Sequence, residues 1–170
     1  MSLLSYIRQT VQDLVEKSGT RNPLELAEAE NIFVSFKDLG SLKGFFVNLD
    51  GEPNIVINIG LDEHWHKTVL AHELGHAVLH CKQAINLPYL DYKLSGRSTK
   101  IEYEANLFAA DLLIDDESIL SELVFTTDIT SLAVILHCPA EYVMLKLKLL
   151  RTAGYTFNLP LDIDNNFLGK

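Results

Sequence analysis

AHELGHAVLH, residues 71–80, is the most informative stretch of this chain. On an α-helix, side chains four residues apart stack on one face about a turn from each other. His72 and His76 can therefore aim imidazole nitrogens at one point, which is what a tetrahedral Zn²⁺ asks of its first two protein ligands. Glu73 follows the first histidine directly, so it lies beside such a metal rather than on it. There it is placed to take a proton from metal-bound water, the division of labour found in zinc-dependent peptide hydrolysis.

The flanks distinguish this reading from an amphipathic helix with surface histidines. Val69, Leu70, Leu74, Ala77, Val78 and Leu79 surround the pair, as expected of a helix packed in a core. Asp62 is positioned as its N-cap, with Glu63 in the first turn. Polar, ligating groups on so apolar a helix call for a partner.

Outward from this helix, the N-terminal side gives two helices and three strands. Leu3, Ile7, Val11, Leu14 and Val15 form one stripe of a helix over residues 3–17, which Gly19 ends. Asn22 caps a short helix opened by Pro23 and running to about Glu30. Ile32 to Phe36 alternates like a strand, and Gly44 to Val47, the Asp50-Gly51 turn and Asn54 to Ile59 read as a β-hairpin. Together they suggest a small three-stranded antiparallel sheet immediately before the histidine helix.

On the C-terminal side, residues 82–100 read as a long loop with a short helix near Leu90, of the length that often rims a cleft. Helix returns over residues 99–114, and Asp115 or Asp116 caps another short helix through Glu122. Residues 128–136 and 139–153 form two further helices around His137-Cys138, with Pro139 opening the second. The chain from Thr156 is expected to be extended or loosely held. The fold expected is α+β: a minimal zincin-like domain over residues 1–125, then a helical, helix-turn-helix-like segment over 126–170.

With 170 residues, 48% hydrophobic and 22% charged, the chain has the composition of a soluble globular protein. No apolar run reaches membrane-spanning length, and MSLLSYIRQT lacks the apolar core of a signal peptide, so a cytoplasmic location is expected. Cys81 and Cys138 make no disulfide framework and read as reduced thiols. The net charge of −9 is concentrated: residues 101–145 hold nine acids and no Lys or Arg, while the remaining 14 acids balance 14 bases. That argues against a phosphate-binding surface there and suits a basic partner, a metal or a solvated acidic face.

A catalytic zinc site takes three protein ligands and leaves one position open. His80 continues the stripe, but about 12 Å of helix axis separates it from His72. The chain also lacks the downstream Gly-x-x-His extension that supplies a third histidine in some zinc proteases. His64 and His66 precede the helix's histidines by nearly two turns. The helix at 99–114 is the better source: Glu102 and Asn106 share a face, and Glu104 points away from it. Spacing leaves both acids as candidates, with Asn106 placed to orient a ligand.

These residues carry a resemblance. AHELGHAVLH (71–80) and EYEANLFAADLL (102–113), in that order and spacing, resemble the motifs of the ImmA/IrrE family of metallopeptidases, within the wider gluzincin-like group. The likeness covers roughly residues 22–125. The family often has a proline soon after the Leu-Leu pair, where this chain has Ile114-Asp115-Asp116, a departure at a helix exit. The resemblance implies Glu102 as third ligand beside His72 and His76, Glu73 as general base, and Zn²⁺ as cofactor. It further implies endopeptidase action on a protein, a helix-turn-helix repressor of a prophage or mobile element. An oxyanion-stabilising Tyr or His is expected, with Tyr103, Tyr89, Tyr92 and His66 available.

The competing expectation is a transcriptional regulator, binding DNA or protein, whose metal site is structural or vestigial. Residues 128–153 would be its helix-turn-helix. A recognition helix reads bases mainly from its N-terminal part, and Pro139-Ala140-Glu141-Tyr142 is acidic and short of donors. Lys146, Lys148 and Arg151 come late, and direct nucleic-acid binding is not expected.

Overall fold

The computed structural model describes residues 1–81 and 98–157. The long loop expected after the histidine helix, with Tyr89, Tyr92 and the helix near Leu90, lies outside the described residues, as does the chain beyond Phe157. Among the described residues, ten elements follow in order: α1 (Leu3–Ser18), α2 (Pro23–Ala29), β1 (Phe33–Lys37), β2 (Gly44–Leu49), β3 (Glu52–Asn58), α3 (Glu63–His80), α4 (Ser98–Leu113), α5 (Asp116–Glu122), α6 (Ile129–Ile135) and α7 (Ala140–Thr152). The fold is α+β, consistent with a small zincin-like domain.

Local chemistry sets most boundaries. Ser2 caps α1, and Gly19, at φ 73°, closes it by donating its N–H to Val15 O. Asn22 caps α2 ahead of Pro23, and Asp62 caps α3 by accepting from the Trp65 N–H at 2.9 Å. Asp115 rather than Asp116 caps α5, accepting from the Ser118 N–H, and Asp128 caps α6 in the same way. Pro139 precedes α7 and gives it no side-chain cap.

The sheet departs from the antiparallel expectation. Its order is β1-β3-β2; β2 and β3 form the hairpin, but β1 runs parallel to β3. Asp50 and Gly51 both have positive φ, the two-residue turn that suits a twisted hairpin. β1 and β2 are successive in sequence yet occupy opposite edges, because residues 38–43 arch across the end of β3. Asn58 holds that arch: its Nδ2 donates to Gly40 O at 2.9 Å and Leu42 O at 2.8 Å. Alternation in sequence marks strands but not which neighbour each one takes.

Phe46, Ile55 and Ile57 are fully buried in the sheet's contact with α3. Where β2 begins, a side chain on Gly44 would lie 2.8 Å from Val69 Cγ1, so glycine lets this edge strand approach α3 closely. On its other side α3 packs on α4, which in turn packs on α1 and α7. The helical segment expected as an appendage buries Leu145, Leu147, Leu149 and Leu150 in the same cluster as Leu74, Leu107 and Phe108.

An ion cluster pins α7 in place. Lys146 is fully buried, with Nζ 2.5 Å from Asp111 Oδ1 and 2.7 Å from Asp116 Oδ1. Arg8 of α1 bonds both carboxylates as well. Two cations thus face two anions, which makes the burial tolerable. Burial alone would raise the Asp116 carboxyl, but hydrogen bonds from Arg8 and Lys146 hold it below its ordinary value of 3.8.

Removing one member of such a cluster strands the others, so Lys146→Met should cost about 3–5 kcal/mol in denaturant unfolding. The sign of the pH effect follows from the depressed Asp116 value. Its stabilisation is present above the unfolded pKa and is lost as pH falls through the lower, folded one. Thermal melts should show the midpoint dropping below about pH 4, and Asp116→Asn should lower the neutral-pH midpoint while flattening that acid limb.

Candidate metal centre

α3 presents His72 and His76 one turn apart, with Nε2 atoms separated by 3.0 Å. Glu102 reaches them from α4, with Oε2 3.3 Å from His72 Nε2 and Oε1 3.4 Å from His76 Nε2. Donors bound tetrahedrally at about 2.0–2.1 Å stand about 3.3–3.4 Å apart. The two Nε2 atoms are slightly closer than that, and the Glu102 carboxylate turns a different oxygen to each histidine at close to that spacing, so a metal ion fits the donor set. Among the described residues, no other group of three His, Cys, Asp or Glu side chains is gathered this way.

His72 is held from behind. Asn106, one turn beyond Glu102, has Oδ1 2.8 Å from His72 Nδ1. Asn106 Nδ2 donates to Glu141 Oε1 at 3.3 Å, which fixes the amide's orientation. His72 therefore donates from Nδ1, leaving the Nε2 lone pair facing His76 and Glu102. Burial keeps His76 neutral, lowering it to about 4. Burial would raise Glu102, yet hydrogen bonds with both histidines hold it well below the usual carboxylate range. For His72 burial is likewise opposed, and the Glu102 and Glu73 carboxylates raise its basicity.

Glu73 is buried beside the triad. Burial pushes its carboxyl up to about 7, against the pull of His72 and a hydrogen bond from the Phe46 backbone. The edge strand β2 thereby helps aim Glu73. A cleft of about 400 Å³ opens over these groups, walled by Leu42 to Phe45, Trp65 and Val69 and, from α7, by Tyr142.

The other sequence candidates among the described residues lie elsewhere. His80 pairs with Glu104 at 2.8 Å, clear of the triad, and this pair braces α3 against α4. His66 bonds Asn58 O at 3.0 Å and packs on Phe36. Tyr103 lies beneath Lys148 and does not line the cleft. Tyr142 does line it and was not anticipated. It lies 36 residues beyond Asn106, so no local spacing signals it. Cys81 and Cys138 are free thiols, and Cys81 Sγ accepts from Asn48 Nδ2 at 3.1 Å.

A family model described as peptidase M78, IrrE N-terminal-like domain, matches residues 27–148. The chain belongs to this ImmA/IrrE family of metallopeptidases. It is 38% identical over 143 residues to the uncharacterized immunity region protein 2 of Bacillus phage phi105, covering 82% of this chain and 88% of that one. It is 29% identical over 111 residues to the metallopeptidase ImmA of Bacillus subtilis strain 168, covering 65% and 64%. The match takes in β2, α3, α4 and most of α7, all of which contribute to the cleft. No helix among the described residues is long and apolar enough to cross a membrane.

Gly75 sets the approach of the two helices that carry the candidate ligands in this family member. A Cβ there would sit 3.1 Å from Ala105 O and 3.2 Å from both Ala105 Cα and Phe108 Cβ. Gly75→Val should therefore overpack the seam, costing about 1–3 kcal/mol by chemical denaturation. Because Glu102 rides on α4, metal affinity measured by titration should fall in the same variant.

Proposed function

We propose that the chain is a zinc-dependent endopeptidase. The observation that carries this is the convergence of the His72, His76 and Glu102 ligating atoms within metal-binding reach of one another, with buried Glu73 adjoining them in the same cleft. His72, His76 and Glu102 hold the ion. Bound there, zinc supplies Lewis acidity, polarising the scissile carbonyl and bringing the pKa of water toward about 7. Glu73 accepts a proton from the attacking water as the new C–O bond forms, then delivers it to the amine as the C–N bond breaks. Asn106 keeps the His72 ring turned toward the ion throughout.

The substrate is a protein, taken as a repressor of helix-turn-helix type from a prophage or mobile element. The name of the phage relative, an immunity region protein, supports that choice. The regulator reading draws less from the molecule. Lys146 is consumed in the core and α7 is largely buried, which leaves Lys148 and Arg151 as the cations of that helix near solvent.

Elemental analysis should find one zinc per wild-type chain, lost in His76→Ala and Glu102→Ala. Glu73→Gln should keep its zinc while cleavage of a co-encoded immunity repressor, followed on gels, falls at least about a hundredfold. Cleavage that survives in Glu73→Gln would rule out this mechanism.

A further inference from the structure

We infer that the Tyr142 hydroxyl is the hydrogen-bond donor that meets the scissile carbonyl oxygen as it gains negative charge, an inference that rests on the peptidase reading above. Tyr142 lines the same cleft as His72, Glu73, His76 and Glu102, and is only 6% exposed. It is carried on the first turn of α7, with Val143 and Leu145 anchored in the core behind it. The Lys146 cluster fixes that helix against α4, so the hydroxyl is held on the same frame as Glu102.

The donor is poorly used. Its hydrogen bond runs to Asn106 Oδ1 at 3.5 Å, the outer limit of such a bond, and that oxygen already accepts from His72 Nδ1 at 2.8 Å. A buried O–H in weak use, beside a site where an oxyanion develops, is the arrangement that pre-positioned stabilisation requires. Burial, reinforced by the nearby carboxylates, keeps the phenol protonated.

Two other side-chain donors of the described cleft lining already have contacts of their own. The Thr68 hydroxyl donates to His64 O, and the Lys43 ammonium sits 4.1 Å over the Trp65 ring. His66 and Tyr103 are occupied away from the cleft. Tyr142 donates without giving up its proton, so the balance of the hydrolysis is unchanged: water's proton still passes through Glu73 to the leaving amine.

The test uses the zinc-loaded full chain as wild type, Tyr142→Phe and Asn106→Ala. Calorimetry measures binding of a phosphonamidate dipeptide, whose tetrahedral anionic phosphorus mimics the transition state, and of the matching planar dipeptide amide. Zinc content and repressor cleavage are measured alongside. Tyr142→Phe should keep its zinc and its affinity for the planar dipeptide, bind the phosphonamidate about a hundredfold more weakly, and lose about 10²–10³ in kcat with KM little changed. Asn106→Ala should instead lose about 10–100-fold in zinc affinity. Equal weakening of both dipeptides, zinc loss in Tyr142→Phe matching that in Asn106→Ala, or an unchanged kcat would each overturn the assignment. A wild type that holds no zinc and cuts nothing would overturn the peptidase reading itself, and this assignment with it.

Discussion

The structure depends on how closely α3 and α4 can approach. The two-histidine pattern lies on one helix, but two points do not define a metal site, and the third donor must come from elsewhere. Gly75 provides for this by presenting bare backbone to Ala105. That contact lies three residues from Glu102 on α4 and, on α3, one turn from His72 and next to His76, so the seam and the donor cluster are set together. The small residues of α4, Ala105, Ala109 and Ala110, are fully buried and keep the helices near. Shape at the seam thus fixes the chemistry beside it.

Such packing forces polar groups into the interior, since α3 is covered by the sheet on one side and by α4 on the other. Burying a polar side chain is costly unless it finds a partner. Here the partners are assigned in order along the helix. Glu73 takes the Phe46 N–H, His72 takes Asn106, and His80 takes Glu104. The His80–Glu104 pair explains why a third histidine stays on the same stripe without belonging to the triad. It clamps the seam one turn farther along.

What could be read from the sequence was what is local. The caps Asn22 and Asp62, the Gly19 stop and the Asp50-Gly51 turn depend on a few neighbouring residues, and the helix pairing of His72 with His76 depends on one turn. Glu102 needed more, because spacing left Glu104 open beside it. What was hidden is non-local. The parallel pairing of β1 with β3 turns on Asn58 holding an arch nearly twenty residues upstream. Tyr142 enters the cleft through a contact that crosses most of α4 to α7. No periodicity records either.

The acidic excess of residues 101–145 shows the same limit from the side of charge. Composition suggested a solvated face, but much of that charge is engaged. Asp111 and Asp116 face Lys146 and Arg8, Asp115 and Asp128 cap helices, Glu104 meets His80, and Glu141 steadies Asn106. Glu141 joins the C-terminal helices to the candidate metal centre, because α7 brings it and Tyr142 to Asn106 together. The Lys146 cluster holds α7 at the correct height to do so. A buried ion cluster is weak evidence for stability in itself. In this molecule its consequence is positional: it fixes the outer contacts of His72 from a helix that the sequence alone would assign to a separate segment.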